Sequence, residues 1–185
     1  LRSKELKTEV DQFTRATPTR GLAVCYFAGL GGQYQTYQSK GAWWNHLQGA
    51  GMPVDARNPE RDSVPLADVF KSFADNASSV ANLLILDTPS DNPFLSTRMK
   101  GPTGMQTLDS VELADDMNVV QSSRTLKNLD ERSLLASAFA NQSPRGHESI
   151  ERFVAAIVDD VASRSERQQI PHVASGAKTG GHRAD

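Results

Sequence analysis

Two hydroxyl-bearing residues, Thr88 and Ser90, directly follow an apolar segment of the chain, Leu83–Asp87. A hydroxyl group attacks a carbonyl carbon efficiently only when a nearby base removes its proton. His46 is the histidine best placed in the sequence to act as that base, so Ser90 with His46 is a candidate catalytic pair. The simpler interpretation of His46 is a solvated loop histidine, because nothing in the sequence fixes its geometry.

The other residue types that support catalysis or cofactor binding favour structural roles. Cys25 is the single cysteine, and it lies within an apolar segment, where a free cysteine behaves as a small hydrophobic residue. The remaining histidines lack zinc-ligand spacing. The glycine-rich residues 29–32 lack the third glycine of a dinucleotide-binding loop, whose place Tyr34 takes. We therefore expect no metal site and no cofactor.

Composition and charge exclude several classes of function. The chain has 185 residues, of which 38% are hydrophobic and 23% charged, with a formal net charge of −2. This balance argues against nucleic-acid or membrane partners bound through bulk electrostatics, and a single cysteine suits a reducing, cytoplasmic location. We expect one domain over residues 1–164, followed by a polar, flexible tail at 165–185.

The spacing of apolar residues predicts strands that alternate with helices. A strand–helix–strand succession is typical of an α/β fold with a mainly parallel sheet. The predicted elements are a helix at 3–14, a buried central strand at 22–28, a loop at 34–63 with at most a short strand at 52–54, a helix at 66–77, a strand at 83–87, a loop at 88–116, a strand at 117–121, and helices at 133–141 and 148–163.

Two segments, Gly21–Gln33 and Asn82–Phe94, resemble the catalytic segments of bacterial caspase-like proteins, which are relatives of caspases, metacaspases and paracaspases. The first is similar to a family strand that ends in Tyr-Tyr-Ala-Gly-His-Gly. The second is similar to Ile-Leu-Asp-Ala-Cys-Arg-Asp-Asn-Pro-Phe. On this comparison Leu30 stands where the family has its histidine base, and Pro89 stands where it has its cysteine nucleophile.

The resemblance extends in order and rough spacing from about Leu6 to Ser175, including Met52–Ala56 and Met117–Ser123. It implies a three-layer caspase-like sandwich with a mainly parallel central sheet. The family's first strand, first helix and second strand have no counterpart here, so we expect an N-terminally truncated domain.

The resemblance also implies a loss of catalysis. Leu30 has no group that transfers protons, and Pro89 has neither a nucleophile nor a backbone N–H. The implied function is a catalytically inactive caspase-like domain that serves as a binding or regulatory module for a peptide or protein, including an active relative. Two alternatives remain: a hydrolase that uses the displaced pair Ser90 and His46, or a truncated fragment of a larger peptidase-family protein.

Asp87 is the family position that this chain retains. In metacaspase-like members, the corresponding aspartate helps to line the pocket for a basic substrate side chain. If Asp87 keeps this role, its carboxylate should be partly accessible at the base of a cleft and should bind an Arg or Lys of a partner. The alternative is a structural aspartate at the end of a strand, and the sequence does not choose between the two.

Overall fold

The computed structural model describes residues 3–35, 42–48, 59–77, 81–89, 105, 108, 113–122, 133–146 and 149–176. The predicted helices and strands follow one another in the order that the sequence predicts, and four further strands and a short helix accompany them. They are α1 (Ser3–Arg15), β1 (Leu22–Ala28), β2 (Gly31–Tyr34), β3 (Trp44–Gln48), α2 (Pro59–Asp62), β4 (Ser63–Pro65), α3 (Leu66–Asn76), β5 (Ala81–Asp87), β6 (Met117–Gln121), α4 (Leu134–Gln142), a 3-10 turn (Ser143–Arg145), α5 (Ile150–Arg164) and β7 (His172–Ser175).

The main sheet has the strand order β1-β5-β6-β7. β5 runs parallel to both β1 and β6, and Ala28 at the end of β1 is paired with Asp87 at the end of β5. The predicted parallel arrangement of these strands is therefore confirmed. β1, β5 and β6 all end on the same side of the sheet, which we call the carboxyl edge.

Helices cover both faces of the main sheet, so that alternate residues of β5 enter two separate cores. Leu84 and Leu86 enter the first core together with α1 and α3, whereas Leu83 and Ile85 enter the second core together with α4 and α5. This is a mixed α/β architecture with a mostly parallel sheet between helical layers. The first core includes Val10, Leu66, Phe70 and Phe73, and the second includes Leu135, Phe153, Ile157 and Val161.

The predicted central position of β1 is wrong for the described sheet, in which β1 is an outer strand. Leu22 is 42% exposed at its start. The strand is nevertheless apolar on both faces, because Cys25 and Phe27 pack against the first core while Val24 and Tyr26 pack against the second. An apolar run on both faces thus indicates that helices cover the two faces of a strand. The run does not indicate how many strands flank that strand in the sheet.

The prediction of a long loop over 34–63 is also wrong, because β2, β3 and β4 form a small antiparallel sheet. Its Leu47 and Val64 belong to the first core. The sequence pattern does not reveal these strands because they are only three to five residues long. In addition, β2 begins with Gly31 and Gly32, which favour a turn in the sequence. Residues 52–54, where a short strand is predicted, lie outside the described residues.

The predicted polar tail contains a strand that the sequence does not reveal. Within residues 165–185, His172–Ser175 forms β7, which runs antiparallel to β6. Residues alternate between partly buried and exposed along β7, and Val173 is 38% exposed. So short and half-exposed a strand has too weak a hydrophobic pattern to be recognised.

In the described part of the chain, no helix is both long enough and apolar enough to cross a membrane.

Candidate functional site

The two positions aligned with the family's catalytic residues follow neighbouring strands. Ala28 and Asp87 are paired in the sheet, and Leu30 and Pro89 each lie two residues beyond them. The backbone N–H of Gly29 donates to the Asp87 carbonyl oxygen at 3.3 Å, which ties the two strand ends together. The topology therefore brings Leu30 and Pro89 to the same edge of the sheet, and neither side chain supplies a catalytic group.

The hydroxyl group of Thr88 at this edge is directed into the protein. Thr88 is 1% exposed, and its Oγ1 donates to Sδ of Met105 at 3.2 Å. Pro89 is also buried. A substrate at the surface has no access to either residue, and Ser90, the other candidate hydroxyl, lies outside the described residues.

Asp87 is buried rather than accessible in a cleft. Its side chain is 1% exposed, and the Tyr26 hydroxyl donates to Oδ2 at 2.7 Å. The reason lies in strand alternation, since Asp87 is on the same face of β5 as Leu83 and Ile85 and so turns toward the second core. The predicted accessible pocket is therefore wrong, and the geometry favours the structural interpretation, in which the carboxylate links β5 to β1.

His46 is a buried strand residue, so the interpretation as a solvated loop histidine is wrong. It lies in β3 with 1% of its surface exposed, and its ring centroid is 3.6 Å from that of Tyr34. Its Nδ1 is 3.3 Å from Oγ of Ser63, which also forms a short hydrogen bond with the Tyr34 hydroxyl. We call Tyr34, His46 and Ser63 the buried histidine cluster. The sequence alone does not point to Tyr34 and Ser63, because their proximity to His46 depends on pairing among β2, β3 and β4.

A serine beside a histidine superficially matches a nucleophile and its base, but the surroundings of this pair oppose catalysis. All three residues of the buried histidine cluster are at most 5% exposed. Burial lowers the pKa of His46 to about 3, because the imidazolium loses its hydration. A general base works best when its pKa is near the operating pH. This imidazole therefore accepts a proton too weakly to activate Ser63 at neutral pH.

Cys25 has the structural role that the sequence predicts. It is partly buried in β1 and packs against the first core. Burial raises the pKa of its thiol, so the protein disfavours the reactive thiolate. Within the described ranges, no group of three His, Cys, Asp or Glu side chains is arranged to hold a metal ion.

Two concave surfaces lie away from the carboxyl edge. A cavity of about 680 Å³ at the opposite end of the sheet is lined by the starts of β1, β5 and α5, including Leu22, Ile150 and Phe153. A groove of about 340 Å³ runs between α5 and β7, and both apolar and polar residues line it. Glu151 borders both surfaces.

Comparison of the chain with protein-family models and with curated proteins gives no match.

Proposed function

We propose that this chain is a catalytically inactive caspase-like domain that acts as a binding or regulatory module for a peptide or protein partner. The observation that carries the proposal is the register of β1 with β5, which brings Leu30 and Pro89 to the end of the sheet where parallel α/β folds place their active sites. An architecture suited to catalysis is thus combined with side chains that have no acid–base or nucleophilic chemistry.

The polar residues near that edge give further support. Asp87 and Thr88 are each 1% exposed and hydrogen-bonded to other side chains. A nucleophile and its base must lie within hydrogen-bonding distance of each other and of the substrate, roughly 2.6–3.2 Å. The described residues at the carboxyl edge contain no pair that meets this requirement at an accessible position.

A second candidate function is a hydrolase with a displaced pair, and the contact between Ser63 and His46 is the observation that favours it. In this variant Ser63 takes the role that the sequence suggests for Ser90. Activity would require the buried histidine cluster to open to solvent and the pKa of His46 to return toward its ordinary range.

Peptide hydrolysis separates the two functions. We expect no cleavage of Arg-, Lys- or Asp-directed peptides, with or without calcium, when the products are followed by mass spectrometry. Cleavage that disappears in His46→Ala and in either Ser63→Ala or Ser90→Ala, but persists in His172→Ala, would establish the hydrolase instead. His172 is a suitable control because it lies in β7, outside the buried histidine cluster.

A further inference from the structure

The last long helix, α5, has a wider apolar surface than its core contacts require. Its residues Phe153, Val154, Ile157, Val161 and Ala162 are buried. Beside them, Ala155 is exposed and Val158 is only partly buried. A helix normally shows one apolar stripe toward its core and polar residues elsewhere. The additional apolar residues of α5 therefore form a second surface beside the first.

That second surface lies beside β6 and β7 of the main sheet, where the described residues leave Val173 exposed. Val154, Ala155 and Val158 form one wall of the groove, and Asn118 of β6 with Val173 of β7 lies on its floor. Val173 is 38% exposed, and β7 is the last strand of the described sheet. We call this surface the α5–β7 groove.

The charged residues that line the α5–β7 groove have the same sign. Glu151 and Asp159 border it, and both are exposed. They lie about 12 Å apart along α5, given a rise of about 1.5 Å per residue. Hydrogen bonds from the Ser149 hydroxyl and from its own backbone N–H lower the pKa of Glu151, so this carboxylate is charged at neutral pH. Apolar residues thus lie between two negative charges on about two turns of helix.

We infer that the α5–β7 groove binds a basic amphipathic helix of a partner protein, an inference that rests on the proposed binding function. Helix-in-groove recognition uses apolar residues at positions i, i+3, i+4 and i+7 as anchors. In the partner, such a stripe would pack on Ala155, Val158 and Val173. Lys or Arg residues about two turns apart would lie opposite Glu151 and Asp159. The apolar contacts supply most of the affinity, and the charges select the sign and register of the helix.

A labelled model peptide tests this inference directly. The probe is a helical peptide of about 15 residues, with leucine at the four anchor positions and lysine on both flanks, and its counterpart has glutamate in place of lysine. Fluorescence anisotropy should show binding of the lysine peptide alone. The double variant Glu151→Gln/Asp159→Asn should bind it several-fold more weakly, because each exposed ion pair contributes roughly 1.5- to 5-fold. Ala155→Arg should weaken binding further, because it places bulk and positive charge on the wall of the groove.

Matched controls separate the groove from general attraction to an acidic protein. Glu9→Gln/Glu166→Gln removes the same charge from exposed positions on α1 and after α5, and it should leave the affinity within about two-fold. Thermal unfolding checks that each variant is folded. NMR shifts caused by the lysine peptide should centre on α5 and β7.

Several outcomes would overturn the inference, and they differ from a failure of the proposed function. Equal binding by all variants, or NMR shifts centred elsewhere, would exclude the groove while leaving a binding module intact. A concentration-dependent dimer that Ala155→Arg abolishes would identify a second copy of the chain as the occupant of the groove. Cleavage of the lysine peptide, detected by mass spectrometry, would instead contradict the catalytically inactive function.

Discussion

At the scale of single residues, polar groups that the sequence presents as candidates for chemistry turn out to hold the fold together. The Tyr26 hydroxyl and Asp87 connect β1 with β5, while Ser63 and Tyr34 surround His46. Buried polar groups must be hydrogen-bonded, because the loss of hydration is otherwise uncompensated. The side chains at these positions are therefore constrained by stability, which explains a polar residue without any need for catalysis.

Tyr26→Phe should lower the free energy of unfolding by about 1–3 kcal/mol, the usual cost of removing one partner of a buried hydrogen bond. The bond in question joins the Tyr26 hydroxyl to a carboxylate that is 1% exposed. Urea denaturation of Tyr26→Phe, Asp87→Asn and the double variant measures the coupling between the two side chains. Strictly additive effects would show that the hydrogen bond contributes nothing of its own.

The stability of the fold should fall in acid because of His46. Burial lowers its pKa to about 3, whereas the unfolded chain has the ordinary value of about 6.5. The unfolded state therefore binds more protons below pH 6.5, so this stabilising contribution is complete above that pH and is lost as the pH falls toward 3. The loss between pH 7 and pH 4 is at most about 3 kcal/mol.

Urea denaturation at pH 7, 5.5 and 4.5, compared between the wild type and His46→Gln, measures this contribution. The difference in free energy of unfolding between the two proteins should shrink as the pH falls, because glutamine does not titrate. A difference that stays constant over this range would mean that His46 is not held in its neutral form.

At the scale of secondary-structure elements, the sequence predicts what long apolar patterns encode. The stripes of α3 and α5 and the runs of β5 and β6 are recovered because each element presents several apolar residues at a regular period. β2, β3 and β4 are missed since they are only three to five residues long. Their burial depends on packing against the first core, which a local pattern does not contain. The buried histidine cluster is lost with them, because its geometry is created by these strands.

The outer position of β1 shows the same limit. The local sequence pattern indicates that Leu22–Ala28 is apolar on both faces. Helices on the two faces of the sheet are sufficient to explain this pattern. Strand order is a long-range property that this pattern does not specify. In the same way, the sequence predicts that Leu30 and Pro89 follow the ends of strands. It does not show that the Asp87 side chain turns into the second core, because that depends on which helices cover each face of β5.

Gly31 is the position where the small sheet meets the carboxyl edge, and Gly31→Ala should destabilise the protein. A Cβ atom there would lie 2.6 Å from Sδ of Met105 and 3.1 Å from Cγ2 of Thr88. Met105 is only 8% exposed, so its side chain has little space into which to move. Overpacking of this kind costs about 1–3 kcal/mol. Urea denaturation should therefore show a lower midpoint for Gly31→Ala than for the wild type.

The background variant Met105→Ala distinguishes overpacking from other causes. Removal of the Met105 side chain beyond Cβ relieves the closest contact, so Gly31→Ala should cost clearly less in that background. An equal cost in both backgrounds would mean that another effect, such as altered strand geometry at β2, dominates.

At the scale of the whole molecule, the described residues form a mostly parallel sheet, and two of its concave surfaces lie away from the carboxyl edge. The carboxyl edge has Leu30 and Pro89 at the strand ends, and Met105 and the small sheet pack against this region. The α5–β7 groove and the larger cavity beside it are lined by other elements and both border Glu151. We therefore expect binding to use α5 and its surroundings, and we expect the edge to be chemically inert.

Covalent labelling tests the absence of an activated nucleophile most directly. The protein is incubated with an arginyl fluorophosphonate, and its intact mass is then measured. An activated serine hydroxyl attacks the phosphorus of this reagent, forms a phosphonate ester and releases fluoride, and a neighbouring base is what confers the required reactivity. We expect an unmodified mass under conditions that fully label a serine protease such as trypsin. A one-to-one adduct that is lost in His46→Ala but retained in His172→Ala would show a working catalytic pair and would contradict the central claim.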